Sequence, residues 1–533
     1  MSTFKYSVSM SPPKIDPNQR FQQGLAFHQG GNLAQAKVVY QEILRSHPRH
    51  ADALHLLGVI ELHSGAPARA AELITQSIAV FPNNPGSHLN LGNAEKALEH
   101  YDAALACYDK ALALKPDYAM AFVGKGVVLQ AQAHWAEAMD CFDKAIAINP
   151  AGFEAFFNRG NVQKDTGQFE AAIASYGEAI QRNPSFVEAY LSRCAMYLEL
   201  GQFAAAFASF DEAIAVDRNY AKSYWNKAMA LLLAGHYAEG LKLYEWRWKV
   251  GFYAGKQPRF SASPWLGAES LQGKTILLHA EQGLGDTIQF CRYAKTVAAR
   301  GARVILEVQE PLVALLKTLD GPVEVIVRGS PLPAFDAHCP LLSLPLAFKT
   351  VVETIPSEAA YLRADPDRVR QWGAKLGVKK LPRVGLVWSG NKALVDDHTR
   401  SISLAALLPY LPSGFEYVSL QKEIRADDAL VLDSNNAVRH FGDALNDFSD
   451  TAALCDLMDL VISVDTSVAH LSGALGKETW VLLSHLPDWR WLTHRTDSPW
   501  YPTVSLYRQS VAGEWQQILA RVAADLAEVR KGN

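Results

Sequence analysis

Two short stretches carry side chains whose types and spacing suit chemistry. The first is Glu281-Gln282-Gly283-Leu284-Gly285-Asp286. An apolar run, Thr275–His279, precedes it and reads as a buried β-strand. From Thr287 onward, Ile288, Phe290, Cys291, Tyr293, Ala294 and Val297 mark an amphipathic helix. Strand, glycine turn and helix is how an α/β sheet makes a ligand crevice at its carboxyl edge. Gly283 and Gly285, with Gln282 beside them, let backbone come close to a substrate. Asp286 stands at the rim, with two readings open. It is a general base for an attacking hydroxyl, or it N-caps the helix, whose dipole lowers a carboxylate's pKa and weakens it as a base.

The second stretch is Asp465-Thr466-Ser467-Val468-Ala469-His470, between a strand at Leu460–Val464 and a helix through Leu471, Ala474 and Leu475. A strand end feeding a helix start presents free backbone N–H groups and the positive end of the dipole. That is an anion site suited to a diphosphate. Small Thr466 and Ser467 keep it open and add hydroxyl donors, and His470, one turn in, can reach a phosphate oxygen. The alternative is plain helix capping, which Asp and Ser supply everywhere. A cation would come from Lys392 or Arg400, in the loop after Trp388, unless that loop is simply solvated. Gln421, Lys422 and Glu423 end the next strand at the same rim, and one of the three would hold ribose or base. Asp365-Pro366-Asp367 reads as an N-cap with proline at the first helical position, not as a metal site. Trp265, Trp489 and Trp491 read as packing residues.

The elements that must position these residues fill the second half of the chain. A length of 533 residues suggests two to four domains. The first half has a period of 34. Prolines fall at Pro48, Pro82, Pro116, Pro150 and Pro184, and glycines at Gly24, Gly58, Gly92, Gly126 and Gly160. Alanines fall at Ala36, Ala70, Ala104, Ala138, Ala172 and Ala206, and a large residue recurs from Tyr40 and Ile74 to Tyr244. Each unit is a helical pair: small residues allow close contact, the large residue fills the gap and proline closes the second helix. This resembles the tetratricopeptide repeat, about seven units over 17–254, after a loose leader at 1–16. Such units stack into a superhelix with a concave groove. Asn90, Asn158 and Asn226 share one repeat position, where their amides would hold an extended peptide or protein partner, unless asparagine is merely common there. In the seventh unit Glu245-Trp246-Arg247-Trp248 replaces a polar outer face, as expected of a helix covered by the next domain.

A linker at 255–272 leads to an α/β half. Strands are expected at Arg303–Val308, Val323–Val327, Val384–Trp388, Phe415–Leu420, Val438–Phe441 and Thr479–Leu483, the last of the chain. Asp336 through Leu346, with Pro340 and Pro345, reads as a loop, and Gly513–Arg530 as a closing amphipathic helix. The expected fold is multidomain: an all-α superhelix, then two Rossmann-like lobes at 273–380 and 381–533, with a cleft between them.

In two successive α/β lobes, GLGD at 283–286 and VDTSVAH at 464–470 resemble the heptosyltransferase-like, family 9 glycosyltransferases of GT-B fold. The resemblance covers about 274–530 and implies inverting, metal-independent transfer from a nucleotide diphosphate sugar, with 273–380 as the acceptor side and 381–533 as the nucleotide-sugar side. It implies Asp286 as general base and Asp465, Thr466 and His470 as holders of the donor diphosphate, with Ser467 where that family commonly has glycine. The sugar donor is a substrate, so no cofactor is implied. The layout is similar to that of the O-linked N-acetylglucosamine transferases, although their catalytic segments are not found. A lipopolysaccharide-core transferase would need a lipid acceptor, which the repeats make less natural. The alternative to an enzyme is a repeat scaffold with a degenerate GT-B module.

Bulk properties exclude other classes. A net charge of −4, with no basic block, argues against nucleic acid and anionic membrane as partners. No apolar run reaches membrane-spanning length and no signal peptide is read at the start. Six scattered cysteines without a CxxC pair suit reduced thiols in a cytoplasm, not a disulfide frame or zinc site.

Overall fold

The structure is a computed structural model that describes residues 16–393 and 397–532. The leader expected at 1–16 lies outside the described residues except for Asp16, whose carboxylate caps the first helix by accepting from Asn18 N–H at 3.0 Å. The chain folds as two compact units, Met1–Asp217 and Arg218–Asn533. Among the described residues, no helix is long and apolar enough to cross a membrane.

The first unit is a run of antiparallel helical pairs, from Pro17–Gln29 with Leu33–Ser46 to Val187–Glu199 with Phe203–Val216. The periodic residues meet as their sizes require. A Cβ on Gly24, Gly58, Gly92, Gly126 or Gly160 would lie 2.5–2.7 Å from Tyr40, Ile74, Tyr108, Phe142 or Tyr176 respectively. Contacts that short mean that any side chain at these glycines would have to push the facing large residue aside. The alanines from Ala36 to Ala206 are fully buried in the same seam. The pair Ala221–Leu233 and Tyr237–Tyr244, the seventh by sequence, belongs to the second unit.

The second unit holds two wholly parallel sheets. The first contains β1 (Ser263–Pro264), β2 (Thr275–His279), β3 (Arg303–Val308), β4 (Val323–Val327) and β5 (Ala337–Pro340), in the order β1-β5-β2-β3-β4. The second contains β6 (Arg383–Val387), β7 (Glu416–Ser419), β8 (Val438–Arg439), β9 (Leu460–Val464), β10 (Thr479–Leu483) and β11 (Val504–Arg508), in the order β11-β10-β9-β6-β7-β8. Near-continuous apolar residues leave β2, β3, β6, β9 and β10 buried almost throughout, as central strands of parallel sheets demand, while β1 is exposed and β4 half-buried.

Three expectations are corrected. The stretch read as a loop from Asp336 contains β5, which lies inside its sheet. Pro340 is tolerated because it ends the strand, opposite His279. Thr479–Leu483 is not the last strand, because β11 pairs with it along its whole length. The helix expected from Thr287 starts at Leu284, stops at Phe290 and resumes as Tyr293–Ala298. The closing helix runs Trp515–Gly532.

Each sheet has one place where strand order reverses. In the second, β6 is flanked by β7 on one side and β9 on the other, and in the first β2 lies between β3 and β5. Ligands of open parallel sheets bind at the carboxyl ends of the strands flanking such a reversal. The turn carrying Gly283, Gly285 and Asp286 leaves β2, and the turn carrying Asp465–His470 leaves β9.

Candidate functional site

The two turns touch. A Cβ on Gly285 would come within 2.9 Å of His470 Cδ2 and 3.2 Å of Ser467 Cα, so this position admits no side chain. The helix Leu284–Phe290 packs on the helix Ser467–Ala474. The expected open gap between the glycine turn and the helix tip is therefore replaced, at this point, by direct contact.

Asp286 is not the N-cap expected of it: Gly283 is, and Asp286 is the third helical residue, bonding back to the cap's N–H and adding an ion pair. Its Oδ2 accepts from Gly283 N–H at 2.8 Å, and its Oδ1 accepts from Arg490 Nη2 at 2.5 Å. Burial pushes its carboxyl up, opposed mainly by Arg490, while Asp488 pushes the same way as burial. Arg490 also donates Nη1 to Asp488 Oδ1 at 2.7 Å. It is buried, lies over the Phe290 and Trp489 rings, and leaves its Nε without an acceptor. Arg490 stands between Trp489 and Trp491, and no motif in the sequence marks it. Its role has no spacing signature, because its partner lies 204 residues away.

The second turn keeps part of its donor set available. Ala469 N–H gives the first bond of its helix, to Thr466 C=O at 3.1 Å, so the Ser467 and Val468 amides precede the ladder. Thr466 Oγ1 pairs with Ser463 Oγ at 3.1 Å. His470 is buried, with Nδ1 on Tyr501 Oη at 2.9 Å, its ring stacked on Trp491 and Nε2 4.0 Å from Asp465 Oδ1. Burial, then Arg490, Arg292 and Arg400, hold its pKa well below the usual imidazole value. Burial and Asp488 raise Asp465, while Arg400 opposes them.

Arg400 reaches the turn: Nη1 donates to the Asp465 carbonyl at 3.1 Å and Nε to Asp397 at 3.2 Å. Lys392 is exposed. Gln421 is corrected from a free nucleotide contact to a clamp. Its Oε1 accepts from Trp388 and Ser389 N–H at 2.7 and 3.1 Å, and its Nε2 donates to Ser389 Oγ and Glu423 C=O. Buried and fully engaged, it holds the end of β6 rather than a ligand.

The seventh helical pair and the 3-10 turn that follows it, Glu245–Lys249, grip the first turn. Gln282 Nε2 donates to Tyr244 Oη at 3.0 Å. Fully buried Arg247 donates to Glu281 Oε1 at 2.8 Å, to Glu245 at 2.6 Å and to Ser343 Oγ at 2.7 Å. Glu281 keeps one carboxylate oxygen unpartnered. Burial pushes its pKa up to about 7, against the pull of Arg247 and with help from Glu245 and Asp286. Asp365 caps its helix as expected, accepting from Asp367 and Arg368 N–H.

With this geometry established, comparison with known proteins accounts for the first unit. Tetratricopeptide repeat family models match residues 21–87, 86–151 and 153–186. Those residues are tetratricopeptide repeats. Within them, Asn90 Nδ2 lies 2.8 Å from His55 Nε2 and Asn158 Nδ2 donates to the Glu154 carbonyl at 2.8 Å, so each amide already has a local partner. Asn226, in the second unit, is half-buried.

The protein FlbA of Caulobacter vibrioides is 28% identical over 318 residues, covering 54% of this chain and 52% of FlbA. The chain thus spans about half the length of this curated relative. A tetratricopeptide repeat protein from Parabacteroides merdae is 18% identical over 43% of this chain and 91% of its own, with a TM-score of 0.36. A thermophilic TPR protein of Thermus thermophilus is 20% identical over 34% and 100%, with a TM-score of 0.31.

Proposed function

We propose that the second unit is a GT-B glycosyltransferase module that moves a sugar from a nucleotide diphosphate sugar to an acceptor, with the repeats binding a protein or peptide. One observation carries the reading. Two turns bearing the candidate residues each leave the reversal point of their own parallel sheet, and they meet at Gly285, Ser467 and His470. An acceptor oxygen attacks the anomeric carbon, the bond to the diphosphate breaks, and the hydroxyl proton passes to Asp286. Ser467 and Val468 amides face the leaving diphosphate at a helix start. Arg490 supplies the positive charge that sequence reading sought in Lys392 and Arg400, while Arg400 steadies the Asp465 turn. No metal enters the scheme, and the site of action is cytoplasmic.

A second reading has its own support. Both Asp286 oxygens are already engaged, by Arg490 and by Gly283 N–H. A module frozen in that state is a non-catalytic scaffold. UDP-, GDP- and ADP-sugars separate the two by nucleotide release and melting temperature. For the transferase, one donor class raises the melting temperature and is turned over, Asp286→Ala keeps the shift and loses turnover, and His470→Ala loses both. If no donor shifts the melting temperature, the scaffold reading stands.

A further inference from the structure

The ends of β9, β10 and β11 lie at one edge of the second sheet, since the three strands are parallel and in register. Arg508 is the last residue of β11 and is half-buried. Its Nη2 donates to the Trp491 carbonyl at 3.2 Å, which places it against the turn that carries Arg490. Its Nε and Nη1 are shut off from solvent and have no acceptor. Among the described residues it has no ion pair, unlike Arg247, Arg400 and Arg490. Burial is accordingly the whole of the influence on its pKa, and lowers it to about 10.

The next residue repeats the pattern. Gln509 is 2% exposed, and its Oε1 is pinned by His485 and Gly513 N–H at 3.3 and 3.1 Å. Its Nε2 has no acceptor. A buried donor without an acceptor is costly, and a guanidinium without a counter-charge more so. Two adjacent residues with this defect, both rich in donors, lie at the carboxyl edge where such sheets hold ligands. The missing partner is negative and offers several oxygens, because Nε and Nη1 donate along different edges of the planar guanidinium.

We propose that Arg508 and Gln509 bind an oxyanion of the phosphate class at the end of β11, an anion site separate from the Ser467–Val468 helix start. The site stands whether or not the chain transfers a sugar. Its source is the donor's diphosphate or a phosphate on the acceptor.

Calorimetry of the full chain with pyrophosphate and with inorganic phosphate tests it, with acetate as the carboxylate arm. Binding of a phosphate-class anion is expected, weakened about tenfold or more in Arg508→Met. Ligand-free Arg508→Met should melt no lower than wild type, because an unpaired buried charge has gone. Should that variant not fold, Arg508→Lys and Gln509→Leu must each weaken the anion severalfold. Persistence of phosphate binding under saturating UDP, GDP or ADP assigns the site to the acceptor, and competition assigns it to the donor. Absence of phosphate-class binding to wild type overturns the proposal, as does affinity retained within twofold in Arg508→Met or, failing that, in both substitutes. An acetate affinity equal to that of phosphate overturns the ligand class.

Discussion

Single atoms decide much of the candidate site. Gly285 is confined by the Ser467 backbone, which cannot swing aside as a side chain could. Gly285→Ala should therefore cost about 1–3 kcal/mol, read as a lower urea midpoint at unchanged m-value. Any donor-dependent stabilisation should fall with it. Glu281 gives a pH signature. Its folded pKa of about 7 lies above that of an unfolded glutamate. Between those values the folded chain holds a proton that the unfolded chain has released, so this group makes stability fall as pH rises through that window. His279 slopes the other way. Burial, then His338, Arg247 and Arg328, lower it to about 3, so the unfolded chain binds the extra proton and stability rises with pH from about 3 to the normal imidazole value. Glu281→Gln should remove only the falling slope, seen as a flatter or rising urea midpoint between about pH 4.5 and 7. An unchanged profile would show that the carboxyl is ionised throughout.

At the scale of elements, the sequence displays what repeats and hides what does not. The 34-residue period needs one size rule per position, and Gly24 against Tyr40 shows that rule directly. A second periodic row lies in the turns. The turn within each pair has positive φ at Gly31, Gly65, Gly167, Gly201 and Gly235, but at Glu99 and Ala133 in the third and fourth units. Left-handed backbone costs a non-glycine residue about 1–2 kcal/mol. Glu99→Gly and Ala133→Gly should each raise stability by a substantial part of that, less the entropy glycine adds to the unfolded chain, measured by thermal or urea unfolding. The strands were legible where apolar residues run on, as in β2 and β9. They were not where proline or alternation breaks the run, as in Ala337–Pro340 and Val504–Arg508. Both turns were legible because glycine and small polar residues mark them. Arg490, Arg247 and Arg508 were not, because their partners are set by topology. Arg247→Gln tests one such partnership. It should speed amide exchange in the 281–286 turn while β9 stays protected, with Arg247→Lys between wild type and the glutamine variant. Equal exchange in all three chains would remove the seventh pair from any part in ordering that turn.

For the whole molecule, the boundary between units matters more than the boundary between sequence patterns. The period carries the reader to 254 and a glycine- and proline-rich linker follows, so a cut at 254/255 looks natural. The fold places its division at 217/218 instead. Tyr237 is fully buried, stacks with Trp500, meets the edge of Trp489 and accepts from Trp500 Nε1 at 3.3 Å. Tyr244 meets Trp489 and bonds Gln282, while Arg247 neutralises Glu281. The seventh pair thus has a repeat's sequence but serves as core for the α/β unit. A fragment 218–533 should be monodisperse and unfold cooperatively. A fragment 255–533 lacks Tyr237, Tyr244 and Arg247, which uncovers two tryptophans and strands a buried carboxylate. It should aggregate, or melt on the order of 10 °C lower, in size-exclusion chromatography and calorimetry run side by side. If both fragments behave alike, the pair is an ordinary seventh repeat and the pattern boundary is the physical one.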